Sequence, residues 1–547
     1  MSLQNFSGQG EWAATADINA ITKSYSDVKN RLLNRQEIAL LDVREEIPHA
    51  NGHPLFAASM PLSRLEAEAL TSLPRREVPI VLIDGGEGLA SLAVGRLKAM
   101  GYTDVSVFAG GVQAWSGAGG ELFKDINVPS KSFGEFMDSQ KHTPMMPPDE
   151  VKRLKDEGNV VILDVRRPDE FSAFCIPGAN STPGAEALMK FESLIPNDTI
   201  QVICNCAGRT RGQLWAQSLI NAGIKNPVAA LRNGTIGWTV AGLELSPKQH
   251  IEPTRSAPGS ELKLSKSVRE VADKAGVKRA SWEDCLKWQK QDEKTSYFFD
   301  VRSHSQYSAG HLPQWRNAPA GEMVQELMMY APVRGARIVL VDDDGVQANI
   351  CASWLAQMNC DVWVLDHPPA FDQVGEWQRS YPQQPEVKKM SVEKLAELQT
   401  GDVAVIDLSL SNAYKSGHIP GAWFAIRSEL AEACKAIGTH EAYVLTDQLG
   451  ILATFAAAEL EQLVTAPVYV LEGGNAAWKQ AGKTLEKGAS QMASEPIDRF
   501  QRPYESTDSE VDVTFDHEKI NAYIAWLSGS DLLAQLANDG TSGFYVV

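Results

Sequence analysis

Between Val202 and Gly212 the chain runs from an apolar strand into a short loop. The loop offers a thiol, Cys206, then the small residues Ala207 and Gly208, then Arg209, Thr210 and Arg211. A helical pattern follows at once, with Leu214, Trp215, Leu219 and Ile220 as its apolar positions. A thiol at the start of a helix sits among backbone N–H groups without intrahelical partners and at the positive end of the helix dipole. That setting favours the thiolate and is expected to bring a cysteine pKa from about 8.5 into the range of roughly 3.5–7.5. The chemistry on offer is nucleophilic attack by sulfur.

Such a loop needs a sheet to deliver it, and the chain contains the pattern four times. Apolar strands ending in an acid recur at Ile38–Asp42, Val160–Asp164, Tyr297–Asp300 and Val403–Asp407. Each is followed by a Gly-His or Pro-Gly turn, at Gly52-His53-Pro54, Cys175-Ile176-Pro177-Gly178, Gly310-His311 and Gly417-His418-Ile419-Pro420-Gly421. A second apolar strand then leads into a loop and helix, ending at Asp84, Cys206, Asp342 and Asp447. The helices stop at Gly101, Gly223 and Asn359, residues that tolerate a left-handed C-cap. A closing glycine and tryptophan follow at Gly110-Gly111 and Trp115, at Gly234 and Trp238, and at Gly473-Gly474 and Trp478; the third copy has His367-Pro368-Pro369 instead. Continuous apolar strands alternating with helices imply an α/β fold, with parallel sheets covered on both faces. Ligands of such sheets bind beyond the carboxyl ends of the strands, where Cys206 lies.

Composition narrows the partners. The 547 residues carry a net charge of −18, and a pI near 5.1 argues against nucleic acid. No apolar run approaches the ~20 residues of a membrane span, and no basic-then-apolar leader opens the chain. Seven cysteines are too few, and odd in number, for a disulfide framework, which points to a reducing cytoplasm. The stretches Pro129–Pro148, Ser246–Ser260 and Tyr381–Pro385 read as linkers. The expected domains are 18–128, 140–250, 265–380 and 386–488, with an acidic connector and helical tail over 489–547. Residues 495–518 hold eight acids and read as exposed. The stripe Ile520, Tyr523, Ile524 and Leu527, with Leu532, Leu533 and Leu536 beyond it, is expected to dock on a domain.

These motifs together resemble the rhodanese family of sulfurtransferases: Asp-Val-Arg after a strand, Gly417 to Ala422, the Cys-x4-Arg loop from Cys206 to Arg211, and the closing glycines and tryptophan. The resemblance covers most of residues 20–488 and implies four tandem rhodanese-like domains, with a cysteine that cycles through a persulfide. By position that cysteine is Cys206. The resemblance breaks where Asp84, Asp342 and Asp447 replace it, where Cys175 replaces a histidine, and where Leu408-Ser409 replace Val-Arg. The three aspartate copies are expected to be inactive.

The implied cycle has Cys206 take the outer sulfur of thiosulfate or a similar donor and pass it to cyanide or a thiol. The N–H groups of Ala207, Gly208, Arg209, Thr210 and Arg211 would surround the persulfide, and the two arginines would add fixed charge. Four residues between Cys206 and Arg211 make the loop shorter than the Cys-x5-Arg of cysteine phosphatases. Arg209 is open between a substrate-facing charge and a solvated one. Thr210 caps the helix or closes the loop. Asp164 and Arg166 hold the strand end, with a substrate role for Arg166 the lesser reading, and Arg232 stands as an electrostatic candidate. Cys204 and the remaining cysteines read as packing residues. No metal or organic cofactor is implied. A sulfur carrier that serves an acceptor protein, and a non-catalytic scaffold, remain as alternatives.

Overall fold

The computed structural model describes residues 21–247, 261–290, 293–398, 401–502, 517–528 and 530–547. The expectations for the N-terminal leader, most of the Ser246–Ser260 linker, much of the acidic connector and the Leu527 side chain lie outside the described residues. Four parallel sheets share one strand order. In the second domain the strands lie, edge to edge, as Met145–Met146, Val228–Leu231, Gln201–Asn205, Val160–Asp164 and Asn180–Ser181, and every neighbouring pair is parallel. The first domain repeats the order with Ile21–Lys23, Val105–Phe108, Ile80–Ile83, Ile38–Asp42 and Ala58–Ser59. The third and fourth do the same from Lys278–Ala280 and from Lys389–Met390. The central strands are buried on both faces, which is why they read as unbroken apolar runs. The expected helix ends are left-handed, with φ of 91° at Gly101, 82° at Gly223 and 66° at Asn359.

The chain forms two compact units. In one, Ile38–Ile126 packs with Arg379–Phe500, joining the first domain to the fourth through buried charges. Arg427 holds Glu66 at 2.6 and 3.0 Å and Glu459 at 2.6 Å, and Arg96 reaches Glu459 at 2.9 Å. Two cations and two anions thus neutralise one another in one largely buried cluster. The residues just after Gly488 belong to this unit rather than to an exposed connector. Ala493 N–H donates to the Phe424 carbonyl at 2.9 Å, and the buried Asp498 carboxylate accepts the Ser411 N–H at 2.7 Å. Acid count alone missed this because one carboxylate of the run is used to bind a helix start.

The other unit holds the second and third domains and the C-terminal helices. Here the stretch read as a linker is largely a helix, Val128–Lys141. Pro129 sits in its first turn, where a missing N–H costs nothing, and Val128, Phe133 and Met137 are buried. Pro148 likewise opens the helix Pro148–Asp156. Prolines that start helices were thus misread as helix breakers. The tail docks as expected. Helices His517–Ser528 and Ser530–Asp539 bury Ile520, Leu532 and Leu536, and both pack on Val128–Lys141. Beyond them Phe544 meets Phe133 edge-on at 5.4 Å.

Candidate active site

Strand Gln201–Asn205 delivers Cys206 to the carboxyl end of the second sheet, and helix Thr210–Asn221 begins four residues later. The loop is locked from behind by the next crossover. Thr235 and Ile236 donate their N–H groups to the carbonyls of Cys206 and Ala207 at 2.8 and 3.0 Å. Gly234 makes this approach possible: its φ is 55°, and a Cβ there would stand 2.3 Å from the Cys206 carbonyl oxygen. Behind the strand end Asn205 Nδ2 donates to Asp164 at 2.9 Å and to Thr235 Oγ1 at 3.1 Å. The fourth domain keeps this bridge with the two side chains exchanged, Thr446 donating to Asn475 at 3.0 Å and Asn475 to Asp407 at 2.7 Å.

Cys206 is 3% exposed. Burial pushes its thiol above the ordinary value. Arg211 and the N–H groups of Gly212 and Gly208 pull it down without prevailing, and Asp164 adds to the rise. The expectation of a depressed pKa is therefore corrected for the free chain: desolvation outweighs the helix start. The cradle is nevertheless real in geometry, and the other copies show what it holds. Asp447 accepts N–H from Leu449, Gly450 and Ala453 at 3.0, 3.0 and 2.9 Å. Asp84 accepts from Gly86 and Ala90, both at 3.0 Å, and Asp342 from Ala348 at 2.8 Å. A donor lies six residues on in all three copies and two residues on in the first and fourth, and Gly208 and Gly212 stand at those same steps from Cys206. In three domains a built-in carboxylate fills the cradle; in the second a thiol faces it.

The two arginines part company. Arg211 is gripped by Glu170 through both oxygens, at 2.6 and 2.8 Å, beside the thiol that it influences. Burial works to raise the Glu170 carboxyl, but Arg211, Arg167 and Arg166 together hold it at about 2. Arg209 turns away, to Glu135 at 2.7 Å and Asp138 at 3.0 Å on the helix Val128–Lys141. Its side chain anchors the loop to that helix. Arg209 occupies the N-cap position and Thr210 is the first residue of the helix; its methyl packs on Gly134 of Val128–Lys141, where a Cβ would come within 2.6 Å. Asp164 and Arg166 form a fully buried pair, with Arg166 Nη2 at 2.8 Å from Asp164 Oδ2 and 2.7 Å from the Phe174 carbonyl. Arg166 is thereby committed to the strand end. The Arg232 side chain is exposed.

Cys204 is fully buried and its thiol is pushed up by burial; Cys175, also buried, is raised to about 11. All seven cysteines are unpaired, and among the described residues no cluster of His, Cys, Asp or Glu is arranged to hold a metal. Sequence reading missed Glu135, Asp138 and Glu170. Of these only Glu170 had a local signal, since Pro168 and the N-terminal acids of Pro168–Ala173 mark a helix start, with Glu170 accepting the Arg167 N–H at 3.2 Å. No helix among the described residues is long and apolar enough to cross a membrane.

The family model described as the rhodanese-like domain matches four stretches, residues 24–118, 147–241, 281–367 and 391–481. The crystal structure of a thiosulfate sulfurtransferase from Pseudomonas aeruginosa is 47% identical, covers 96% of this chain and 100% of its own, and superposes with a TM-score of 0.92. The Alr3790 protein from Anabaena sp. is 30% identical over 19% of this chain and 93% of its own, with a TM-score of 0.18. No curated protein sequence matches the chain.

Proposed function

The chain belongs to the rhodanese-like family, and from that premise we propose a sulfurtransferase of the thiosulfate type that works through Cys206 alone. The Cys206 thiolate attacks the outer sulfur of thiosulfate. The new S–S bond forms as the old one breaks, and the electron pair leaves with sulfite. The Cys206 persulfide then gives that outer sulfur to a thiophilic acceptor: cyanide leaves as thiocyanate and the thiolate returns. No net oxidant is consumed in either half.

One observation carries this reading. The Gly212 amide takes the place that binds a carboxylate oxygen in the other three domains, and the Gly208 amide takes the place that does so in the first and fourth. A pair of N–H donors aimed at a fixed anion site stabilises the terminal sulfur of a persulfide in the same way. Cys206 is nearly enclosed, which favours a donor with a slim terminal sulfur. Arg211 supplies the lasting positive charge. The 47% identical thiosulfate sulfurtransferase, matched across nearly the whole chain, supports the same substrate class. Asp84, Asp342 and Asp447 cannot form a persulfide, so the first, third and fourth domains transfer no sulfur in this proposal.

The experiment is intact mass spectrometry after incubation with thiosulfate. A gain of one sulfur, lost on adding cyanide and missing in Cys206→Ser, is the expected result. No gain from thiosulfate, with loading by a partner desulfurase instead, would replace the enzyme by a protein-to-protein sulfur carrier.

A further inference from the structure

The third domain carries Asp342 in its own cradle, yet it reaches the active loop of the second. Gly184 and Gly321 meet backbone to backbone, so closely that a Cβ on Gly184 would stand 2.6 Å from the Gly321 Cα. Trp354 Nε1 donates to Ser218 Oγ at 2.9 Å, linking the helices that start at the two cradles. Arg167 Nη1 donates to Glu326 Oε1 at 3.3 Å, and this contact begins a row of alternating charges. Arg167 gives its backbone N–H to Glu170 Oε2 at 3.2 Å, with its Nε 3.8 Å from the same oxygen. Glu170 in turn grips Arg211 with both oxygens. The other charges around Glu326 are Glu322, Arg502 and Arg211 itself.

We propose that Glu326 is a positioning residue for the active loop: by engaging Arg167 it leaves Glu170 to Arg211, and so withholds Arg211 from an incoming dianion. The inference rests on the reading of Cys206 as the sulfur-transfer residue. Its physical basis is competition between two guanidinium groups for one carboxylate. Without the Glu326 charge, Arg167 keeps, among the described residues, Glu170 and Asp169, the latter at 3.2 Å. Glu170 is then drawn toward Arg167, and Arg211 is released toward the cradle. Loss of a nearby negative charge acts in the same direction. The third domain is thus a regulator of donor affinity, which gives a cradle filled by its own aspartate a use.

The test uses the full chain with Glu326→Gln and Glu326→Asp. For Glu326→Gln, the KM for thiosulfate is expected to fall about two- to fivefold at low salt, as for partly exposed charge pairs, without a rise in kcat. The pH midpoint for alkylation of Cys206 by iodoacetamide moves down in parallel, and Glu326→Asp restores both. Simple loosening of the domain contact would raise KM, so a KM that rises or stays put, with an unmoved alkylation midpoint, overturns the proposal. The alkylation arm needs no turnover. If native chain gave none with thiosulfate, the functional reading would fail, and the midpoint would still decide the role of Glu326.

Discussion

Asp447 Oδ2 accepts the backbone N–H of Ala453 at 2.9 Å, across the first turn of the helix Ile451–Leu463. The same six-residue step separates Cys206 from Gly212, Asp84 from Ala90 and Asp342 from Ala348. The fold thus supplies four corresponding backbone N–H cradles, and the side chain placed in each decides what chemistry is open to it.

A thiol alone should not convert a silent copy. Five residues after Asp447 stands Leu452, where the second domain has Arg211. A chain carrying Cys206→Ser and Asp447→Cys should show the new thiol by alkylation, yet turn over thiosulfate and cyanide at background rate. Turnover within about tenfold of the native chain would remove Arg211 from the mechanism.

Arg211 itself should matter through its fork as well as its charge. Arg211→Gln is expected to lower kcat/KM by about 100-fold, the scale for removing one preorganised charge-stabilising group, and Arg211→Lys to recover part of it. The pair with Glu170 is robust to acid. A carboxyl held at about 2 against an ordinary 4.5 contributes stability that is fully present above pH 4.5 and is lost as pH falls toward 2. Any decline in steady-state activity between pH 7 and 5 therefore has another source.

The proposed nucleophile, Cys206, is expected to be that source in the free chain. Burial lifts its thiol above the ordinary 9.0, so the thiolate fraction, and with it the alkylation rate, should keep climbing past pH 9. Arg211→Gln removes a group that lowers the pKa and should shift the alkylation profile further up. Peptide mapping separates Cys206 from the partly exposed Cys360 and Cys434. A plateau reached below pH 7 would contradict the balance of burial over cradle.

Glu135 gives a stability signature of opposite sign to Glu170. Burial raises its carboxyl to about 7, despite Arg209. The folded chain therefore binds more protons than the unfolded chain between pH 4.5 and 7, and this group's contribution falls as pH rises through that window. Thermal melting followed against pH should show the decline, and Glu135→Gln should flatten it. An unchanged slope in the variant would assign the dependence elsewhere.

The fold was readable because its signals are local. Strands buried on both faces must be continuous apolar runs, and helix ends in left-handed geometry call for residues such as Gly101, Gly223 and Asn359. The proposed reactive position is legible for the same reason, since Cys206, its small neighbours and Arg211 are contiguous. The helix Val128–Lys141 was not, because Pro129 marks a helix start as well as a chain break, and only packing against Thr210 and the C-terminal helices distinguishes the two.

Residue order alone determined four related α/β domains and one cysteine among three aspartates at the corresponding loop position, and it pointed to sulfur as the proposed reacting atom. Folding in three dimensions settled the partners and the proton. Arg209 went to Glu135 and Asp138, Arg211 to Glu170, and Arg167 to Glu326, across separations from about forty to well over a hundred residues. Charge pairing depends on distance in space, and no local periodicity records it. The Cys206 pKa rose rather than fell because loss of water is a property of the packed surroundings, which the order of residues along the loop does not contain.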